Sequence, residues 1–392
     1  MGLEGIFDAW EQRKLGDESD VRDGTHDSPQ YFDTGYPLVT SKNLKNHGLD
    51  LKDVSLIAEA DYNAINHRSK VDEGDILFGM IGTIGNPVLV RQTNFAIKNV
   101  ALIKEHKRIL NQFLIQLLKS PVFERYIKSE NAGGTQKFLA LSKIRSFEFK
   151  VPNLEEQQKI GTFFKQLDNT IALHQRKLDT LKLMKKGFLQ QMFPEKGEKV
   201  PKLRFADFEE EWEQRKIRDF LTESKTKGSN GLIAKKLTVK LWRKGIIAKE
   251  EIYSGSSATK YYVRKAGQFM YGKLDFINQA FGIIPTELDG YESTIDSPAF
   301  DFQNEINPHF FFEYISLRQF YEYQGNIANG SRIAKRIHTE TFFEMPILTP
   351  SQEEQEKIGL FIKQVDSKID FHQTKLNILN RFKKAYLQNM FI

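Results

Sequence analysis

The chain contains no cysteine, which excludes a disulfide framework and any thiolate zinc or iron–sulfur site. No apolar run approaches membrane-spanning length. The opening stretch, MGLEGIFDAWEQRKLGD from Met1 to Asp17, lacks a charged region followed by an apolar one, so neither a spanning helix nor a signal peptide is expected. The expected location is the cytoplasm. There is no GxxxxGK[ST] stretch to cradle a triphosphate, no Asn-Pro-Pro-aromatic stretch to hold a flipped adenine, and no Gly-rich fingerprint for S-adenosylmethionine. A large excess of one charge is also missing. The net +6 is mildly basic, compatible with nucleic acid without establishing it. These absences point to a recognition or assembly component whose chemistry is done elsewhere, and 392 residues are enough for two substantial cores.

What the chain does have is repetition. The stretch from Pro152 to Phe193 returns from Pro350 to Phe391 without a gap and with more than half of its positions identical, including EEQ at Glu155 to Gln157 and at Glu353 to Gln355. A repeat on this scale divides the chain into two halves of one design. Each copy reads as helix. In the first, Ile160, Phe164, Leu167, Ile171, His174, Leu178, Leu181, Lys185, Phe188 and Met192 alternate steps of four and three, the a/d seam of a coiled coil. The second repeats it with Ile358, Ile362, Val365, Ile369, His372, Leu376, Leu379, Lys383, Tyr386 and Met390.

Neither seam can be buried alone, so the two are expected to pair. Pro152-Asn153 and Pro350-Ser351 are helix-start signals, and the acidic pair after each suits the positive end of the helix dipole. Gly161 and Gly359 are read as breaks that split each helix into a short entry piece and a long rod. If the rods run antiparallel, each globular domain can leave and return at one end of the bar, whereas parallel rods would force the middle domain to span the rod.

The edges of the globular parts repeat as well. Trp10-Glu11-Gln12-Arg13-Lys14 reappears as Trp212-Glu213-Gln214-Arg215-Lys216, while the intervening sequences differ almost completely: a shared scaffold, then, with unlike surfaces. In the first domain Asp23 to Pro29 is a loop by composition. Val71 to Phe78 reads as turn then strand, Met80 to Val90 as two short strands around a Gly-Asn turn, Leu110 to Ser120 as an amphipathic helix, and Lys137 to Phe149 as strand. In the second, Gly267 to Gly272 stands where Gly74 to Gly79 stood, and Phe310 to Tyr323 is the helix. The expected fold class is α+β, with two globular domains at opposite ends of an antiparallel two-helix coiled-coil spacer. The expected segments are 1–151, 152–196, 197–349 and 350–392.

Several residue clusters could carry chemistry. Asp23, His26 and Asp27 have the residue types of a metal or acid/base site, and a local Asx-type turn explains them as well. Gly79, Gly82 and Gly85 form GxxGxxG, which lacks the helix and acid of a dinucleotide site and reads as turn geometry. His174 and His372 face the seam at equivalent positions, where a polar pair sets coiled-coil register. No metal site and no catalytic residue are expected.

The whole layout resembles the specificity subunits of type I restriction-modification enzymes. The residues that carry the resemblance are Pro152 with Glu155-Glu156-Gln157 and Ile160, the tail Lys185-Lys186 to Gln190, their copies from Pro350 through Glu353-Glu354-Gln355 to Lys383-Lys384 and Gln388, and the Trp10 and Trp212 starts. The DGTH stretch from Asp23 and GDILFGMIGTIGNP from Gly74 look like parts of that family's target recognition domains. The resemblance implies that each domain reads one half of a bipartite, asymmetric site on double-stranded DNA. It also implies that two methyltransferase subunits dock on the helices, bringing S-adenosylmethionine and adenine-N6 methylation, and that restriction or motor subunits bring ATP and Mg. No cofactor is expected on this chain, and it is expected to be a non-catalytic subunit.

Base reading needs side chains with paired donors and acceptors, and phosphate contacts need positive charge. On that basis Lys42, Asn43, Thr83, Asn86, Lys98 and Lys137 are the candidates in the first domain, and Lys240, Arg243, Lys273, Gln279, Arg332 and Arg336 in the second. A solvated surface residue is the alternative for each. Gln157, Lys159, Lys186 and Gln190, with Gln355, Lys357, Lys384 and Gln388, are candidates for partner binding, because repeated polar residues off the seam have no core role to explain their identity. Helix solubility is the rival account. A rod of roughly 25–30 residues would extend about 40 Å at about 1.5 Å per residue, matching half-sites about 34 Å apart on B-DNA. The competing functions are a coiled-coil interaction scaffold without DNA specificity and a stand-alone nuclease.

Overall fold

The computed structural model describes residues 10–45, 48–105, 108–130, 138–250, 256–326, 329–330 and 335–391. The chain divides into two compact units. Unit 1 takes the chain up to Arg176 together with Gln373 onward, and unit 2 takes Lys177–His372. Each is an α+β domain that also holds the start or the end of both long helices.

Unit 1 begins with strand β1 (Glu11–Lys14), which pairs antiparallel with β6 (Glu148–Val151), Glu11 opposite Val151. The repeated EQRK is therefore a clasp: it ties the entrance of the domain to the strand that leads into the helix. Between them β2 (Val21–Asp23), β3 (Ile76–Gly79), β4 (Gly85–Leu89) and β5 (Val100–Ile103) make a four-stranded antiparallel sheet in the order β2-β5-β3-β4. A smaller sheet sets Tyr36–Val39 between Ser55–Ile57 and Ala96–Ile97, the latter pairing parallel. Helices α1 (Asn111–Leu118) and α2 (Pro121–Glu130) follow, and α3 runs from Leu154 to Gln191.

Unit 2 repeats this frame. Strand β7 (Glu213–Lys216) pairs with β12 (Pro346–Thr349), and β8 (Leu221–Ser224), β9 (Phe269–Tyr271), β10 (Phe281–Ile283) and β11 (Ala299–Phe302) form a sheet in the order β8-β11-β9-β10, the same weave as in unit 1. Helices α4 (Pro308–Ile315), α5 (Arg318–Asn326) and α6 (Gln352–Met390) complete it. None of the described helices is long and apolar enough to cross a membrane.

Inside each unit the two long helices run antiparallel. In unit 1, Phe163 meets Tyr386 edge to face at 5.0 Å and Asp168 pairs with Lys383 at 2.6 Å, so one number rises as the other falls. In unit 2, Lys185 holds Asp366 at 2.7 Å and Phe188 meets Phe361 at 4.9 Å. Exposure follows the seam. Leu178 and Leu376 are buried, and Leu167, Ile171, His174, Leu181, Val365, Ile369, His372 and Leu379 are half-buried. The second seam departs from the expected register at its end, where Leu387 is buried and Tyr386 exposed. The step of four after Lys383 is the drift a straight helix accumulates against a strict heptad.

Three expectations are corrected. Gly161 and Gly359 do not break their helices, which run unbroken for 38 and 39 residues, well beyond the 25–30 expected. They are close-approach positions: a Cβ on Gly161 would lie 3.0 Å from Gln112 Cβ and 3.1 Å from the Gln112 carbonyl carbon, and one on Gly359 would lie 2.5 Å from Asn307 Oδ1. Each long helix therefore seats its first turns on the start of α1 or α4. The segment before β6 is a short helix, Leu141–Arg145, and not a continuous strand. The helical stretch around Phe310 is two helices, with Ser316 ending the first.

An aromatic trio closes each unit. Trp10 lies 6.0 Å from Phe113 and 6.2 Å from Phe391, and Trp212 lies 5.6 Å from Phe310 and 6.0 Å from Phe193. Fully burying one such side chain contributes roughly 1.5–3 kcal/mol. The two repeats seen in the sequence thus meet in one contact, the Trp start against the Phe that ends a helix copy.

Candidate nucleic-acid interface

In unit 1 the Asp23-Gly24-Thr25-His26 loop is laid across the end of β5. The Gly24 and Thr25 N–H groups donate to the Val100 and Ile97 carbonyls at 3.0 Å each, and Gly24 sits so near the Ile97 carbonyl that a Cβ has no room there. The loop then gathers polar side chains. His26 contacts Asn99 Oδ1 at 2.7 Å through Nδ1 and Asp23 Oδ2 at 3.0 Å through Nε2, and Arg68 reaches Asp23 Oδ1 at 2.7 Å. The hydrogen bond to Asn99, then that to Asp23, raises the His26 pKa above its ordinary value. Lys98 donates to Ser28 Oγ at 2.6 Å. Among the described residues no group of three or more His, Cys, Asp or Glu is placed to hold a metal ion.

A second set of loops joins this one. Ser41 Oγ donates to the Asn99 carbonyl at 3.4 Å and Asn86 Nδ2 to the Leu44 carbonyl at 3.2 Å. The turns carrying Lys42, Asn86 and Lys98 are therefore tied together, with Lys42 and Thr83 exposed. Asn43 is a correction. It is 2% exposed, its Oδ1 accepts from Thr40 N at 3.0 Å, and its Nδ2 donates to the Asp50 and Asp53 carbonyls. Its side chain is used up in shaping the turn and cannot read a base. Lys137 lies outside the described residues. Just beyond it, Phe138 pairs with Ile81, and both are exposed.

Unit 2 offers a different surface. The turn of the hairpin joining Leu237–Val239 to Ile246–Ala248 carries two consecutive left-handed residues, Trp242 (φ 59°) and Arg243 (φ 56°). Their N–H groups donate to the Asn278 and Gln279 carbonyls at 2.8 and 3.1 Å, and Gln279 is itself left-handed at φ 53°. A bulky residue held in this region is strained and persists only when its surroundings fix it. Trp242 is 57% exposed, beside exposed Lys240. It was missed from the sequence, although Leu-Trp-Arg-Lys-Gly is a turn with an aromatic among basic residues.

Arg243 and Lys273 are corrections. The Arg243 guanidinium is committed to buried Glu313 at 2.6 Å and lies over the Phe312 ring at 4.6 Å. Lys273 is 6% exposed, and burial lowers its pKa below the ordinary lysine value. Arg336 is half-buried and paired with Asp296 at 2.8 Å. Arg332 lies outside the described residues.

On the helices, Gln157 and Gln355 are the clearest correction. Both are 2% exposed. Gln157 Oε1 accepts from Leu110 N at 3.0 Å, and its Nε2 donates to the Arg108 and Pro152 carbonyls. Gln355 does the same with Asn307 N, at 3.0 Å, and with the Glu305 and Pro350 carbonyls. These two glutamines bolt each helix start to the loop before α1 or α4, which is the core role they were thought to lack. Lys186, Gln190, Lys384 and Gln388 are exposed. Lys159 is exposed and paired with Glu155 at 2.7 Å, and Lys357 is paired with Asp207 at 2.8 Å.

Comparison with known proteins matches this arrangement. Residues 8–183 match the type I restriction modification DNA specificity domain. The chain is similar to the type I restriction enzyme MjaIX specificity subunit of Methanocaldococcus jannaschii, 25% identical over 174 residues, which is 41% of this chain and 38% of that protein. It is also similar to the EcoBI specificity subunit of Escherichia coli, 30% identical over 136 residues, 34% of this chain and 28% of that protein. The matched part is thus a minority of either relative's length. Among solved structures, the S subunit of a type I restriction-modification system from M. genitalium superposes with a TM-score of 0.65 at 13% identity, covering 100% of this chain and 98% of that one. A chain from a study of complex assembly and conformational transition of the type I R-M system superposes with a TM-score of 0.50 at 14% identity, covering 97% of each. At those identities the likeness establishes the fold alone. Residues 8–183 thus resemble the type I restriction modification DNA specificity domain, and the chain as a whole shares the fold of the solved S subunit.

Proposed function

We propose that this chain is the DNA-reading subunit of a type I restriction-modification complex. Each globular domain reads one half of a bipartite, asymmetric site on double-stranded DNA, and two methyltransferase subunits dock around the helices. S-adenosylmethionine, ATP and Mg belong on the partner subunits, including the restriction subunits, and this chain contributes recognition without catalysis, in the cytoplasm. The observation that carries the reading is the contrast within the molecule: two sheets of identical weave carry unlike loops, a His26–Asn99–Arg68 cluster on one and a Trp242 hairpin on the other. Unlike readers on a shared frame suit two unlike half-sites.

Under this reading the long helices set the gap between half-sites. Helix α3, at 38 residues, extends about 57 Å at about 1.5 Å per residue. Half-sites on one face of B-DNA repeat every turn, about 34 Å. Inserting a heptad into both helices should therefore change the length of the unread gap.

The test is to co-express the chain with a methyltransferase subunit in a host free of adenine methylation and map modified adenines across the genome. One motif of two short half-sites around a fixed gap is the expected result. No modification by a demonstrably assembled pair would reject the reading and favour an interaction scaffold.

A further inference from the structure

A cluster of charges at the foot of the helices is balanced in one unit and unbalanced in the other. In unit 2, Lys185 contacts both Asp366 at 2.7 Å and buried Glu313 at 3.1 Å, and Glu313 also takes Arg243. Two cations face two carboxylates. In unit 1 the equivalent lysine, Lys383, pairs with the equivalent aspartate, Asp168, at 2.6 Å. The place of Glu313, three residues after the Phe310 that matches Phe113, is taken by Gln116, buried and with its Oε1 unpartnered among the described residues. Yet a second cation stands there. Lys119, at the end of α1, is pushed down to about 8 by burial and then by repulsion from Lys383, and Asp168 only partly compensates. Two cations face one carboxylate, and Lys119 has no ion pair among the described residues.

Lys119 and Lys383 both line a cavity of about 620 Å³. Its walls are otherwise largely apolar, with Ile84, Leu118 and Leu387 among them. We propose that this cavity is a docking site for one carboxylate side chain, carried on an otherwise apolar stretch of a partner protein, which completes the charge set that Glu313 completes internally in unit 2. A polyanion fits it poorly. Nucleic acid would bring several phosphates against apolar walls, whereas Lys119 and Lys383 need only one carboxylate, since Glu124 and Lys128, which also line the cavity, already pair with each other at 2.7 Å. A single acid flanked by apolar side chains satisfies both the charge and the surface.

The assignment rests on the assembly proposed above in taking a methyltransferase subunit as the probe partner. Full-length wild-type chain and Lys119→Met are compared for co-elution and affinity with that subunit, for affinity to a short duplex, and for carbodiimide coupling of Lys119 to a partner carboxylate in the assembled complex. Lys119→Met removes a desolvated charge and keeps the wall apolar, so the fold is retained, as circular dichroism will show. Assembly weakened about tenfold, duplex affinity unchanged, and a Lys119 cross-link to a partner Asp or Glu are expected. Unchanged assembly without that cross-link overturns the proposal, as does a loss confined to duplex binding, which would make the occupant a phosphate. If wild type itself fails to co-elute, the assembly reading falls, and this docking site falls with it.

Discussion

The two units share a frame and differ in how they handle buried charge. Glu156 in unit 1 accepts the Trp10 indole N–H at 3.2 Å. Its copy in unit 2, Glu354, is fully buried and held by both arms of Arg204 at 2.8 Å, and the Trp212 indole nitrogen is left without a partner among the described residues. Arg204 comes from the stretch before β7. Glu313 against Gln116 is a second divergence of the same kind. The lesson is that geometry is repeated where backbone is tied down, strand to strand in the clasp and by the Gln157 and Gln355 side chains at the helix starts, while side-chain charge is free to diverge as long as each cluster is balanced locally or from outside.

This comparison can be broken most sharply at Arg204. Arg204→Ala leaves Glu354 buried and uncompensated, and should cost unit 2 about 3–5 kcal/mol, whereas Trp10→Phe at the equivalent contact in unit 1 should cost only about 1 kcal/mol. Hydrogen exchange resolved by unit distinguishes the two. A reciprocal swap sharpens it further. Glu313→Gln should destabilise unit 2 by about 3 kcal/mol, since Lys185 and Arg243 lose their shared carboxylate, and Gln116→Glu should stabilise unit 1 by giving Lys119 and Lys383 one. If both swaps are neutral, the charge imbalance has no energetic consequence.

Next come the bolts. Gln157→Ala and Gln355→Ala each orphan a buried N–H and two carbonyls, so each should cost its own unit about 1–3 kcal/mol by denaturant titration. Similar losses in the two units would show that the frame, unlike the charges, is shared.

Smallest are the pH effects, which share a sign and fall in separate windows. Burial pushes the Glu313 carboxyl up, but Arg243 and Lys185 more than offset it and hold it below its ordinary value of 4.5. A depressed carboxylate stabilises the fold above that value and loses its contribution as pH falls through the lowered one. Unit 2 should therefore lose this contribution in acid. Lys119, down at about 8 against an ordinary 10.5, binds fewer protons folded than unfolded between those values, so unit 1 should gain stability as pH rises across that window. Thermal melts followed by Trp10 fluorescence, in a background lacking Trp212 and Trp242, would read unit 1 alone.

Much of the frame was legible because it rests on period and repetition. The a/d seam, the helix starts and the Trp edges all announce themselves in one dimension. Gln157 and Gln355 were not legible, because their partners are carbonyls some fifty residues away or across a proline, as with Arg108 and Pro152, and nothing local distinguishes a bolt from a solvated glutamine. Gly161 and Gly359 misled for a related reason: their effect on helix propensity is local, but the close packing that favours them is tertiary. Of the surface candidates, Asn43, Arg243 and Lys273 turned out to be occupied or buried, since donor chemistry alone does not say whether a side chain faces outward. Trp242 was not legible because the donor and acceptor chemistry that marks a base-reading side chain does not mark an aromatic one.

Phe391 and Leu387, at the far end of α6, belong to the core of unit 1, where Phe391 packs on Trp10, more than 370 residues earlier. On the ribosome this sets an order of events. Unit 1 emerges first but must wait, with part of its core open, until Leu387 and Phe391 have been synthesised, while unit 2 has all of its parts beforehand. A nascent chain stalled short of its final helix would carry a finished second domain and an unfinished first one.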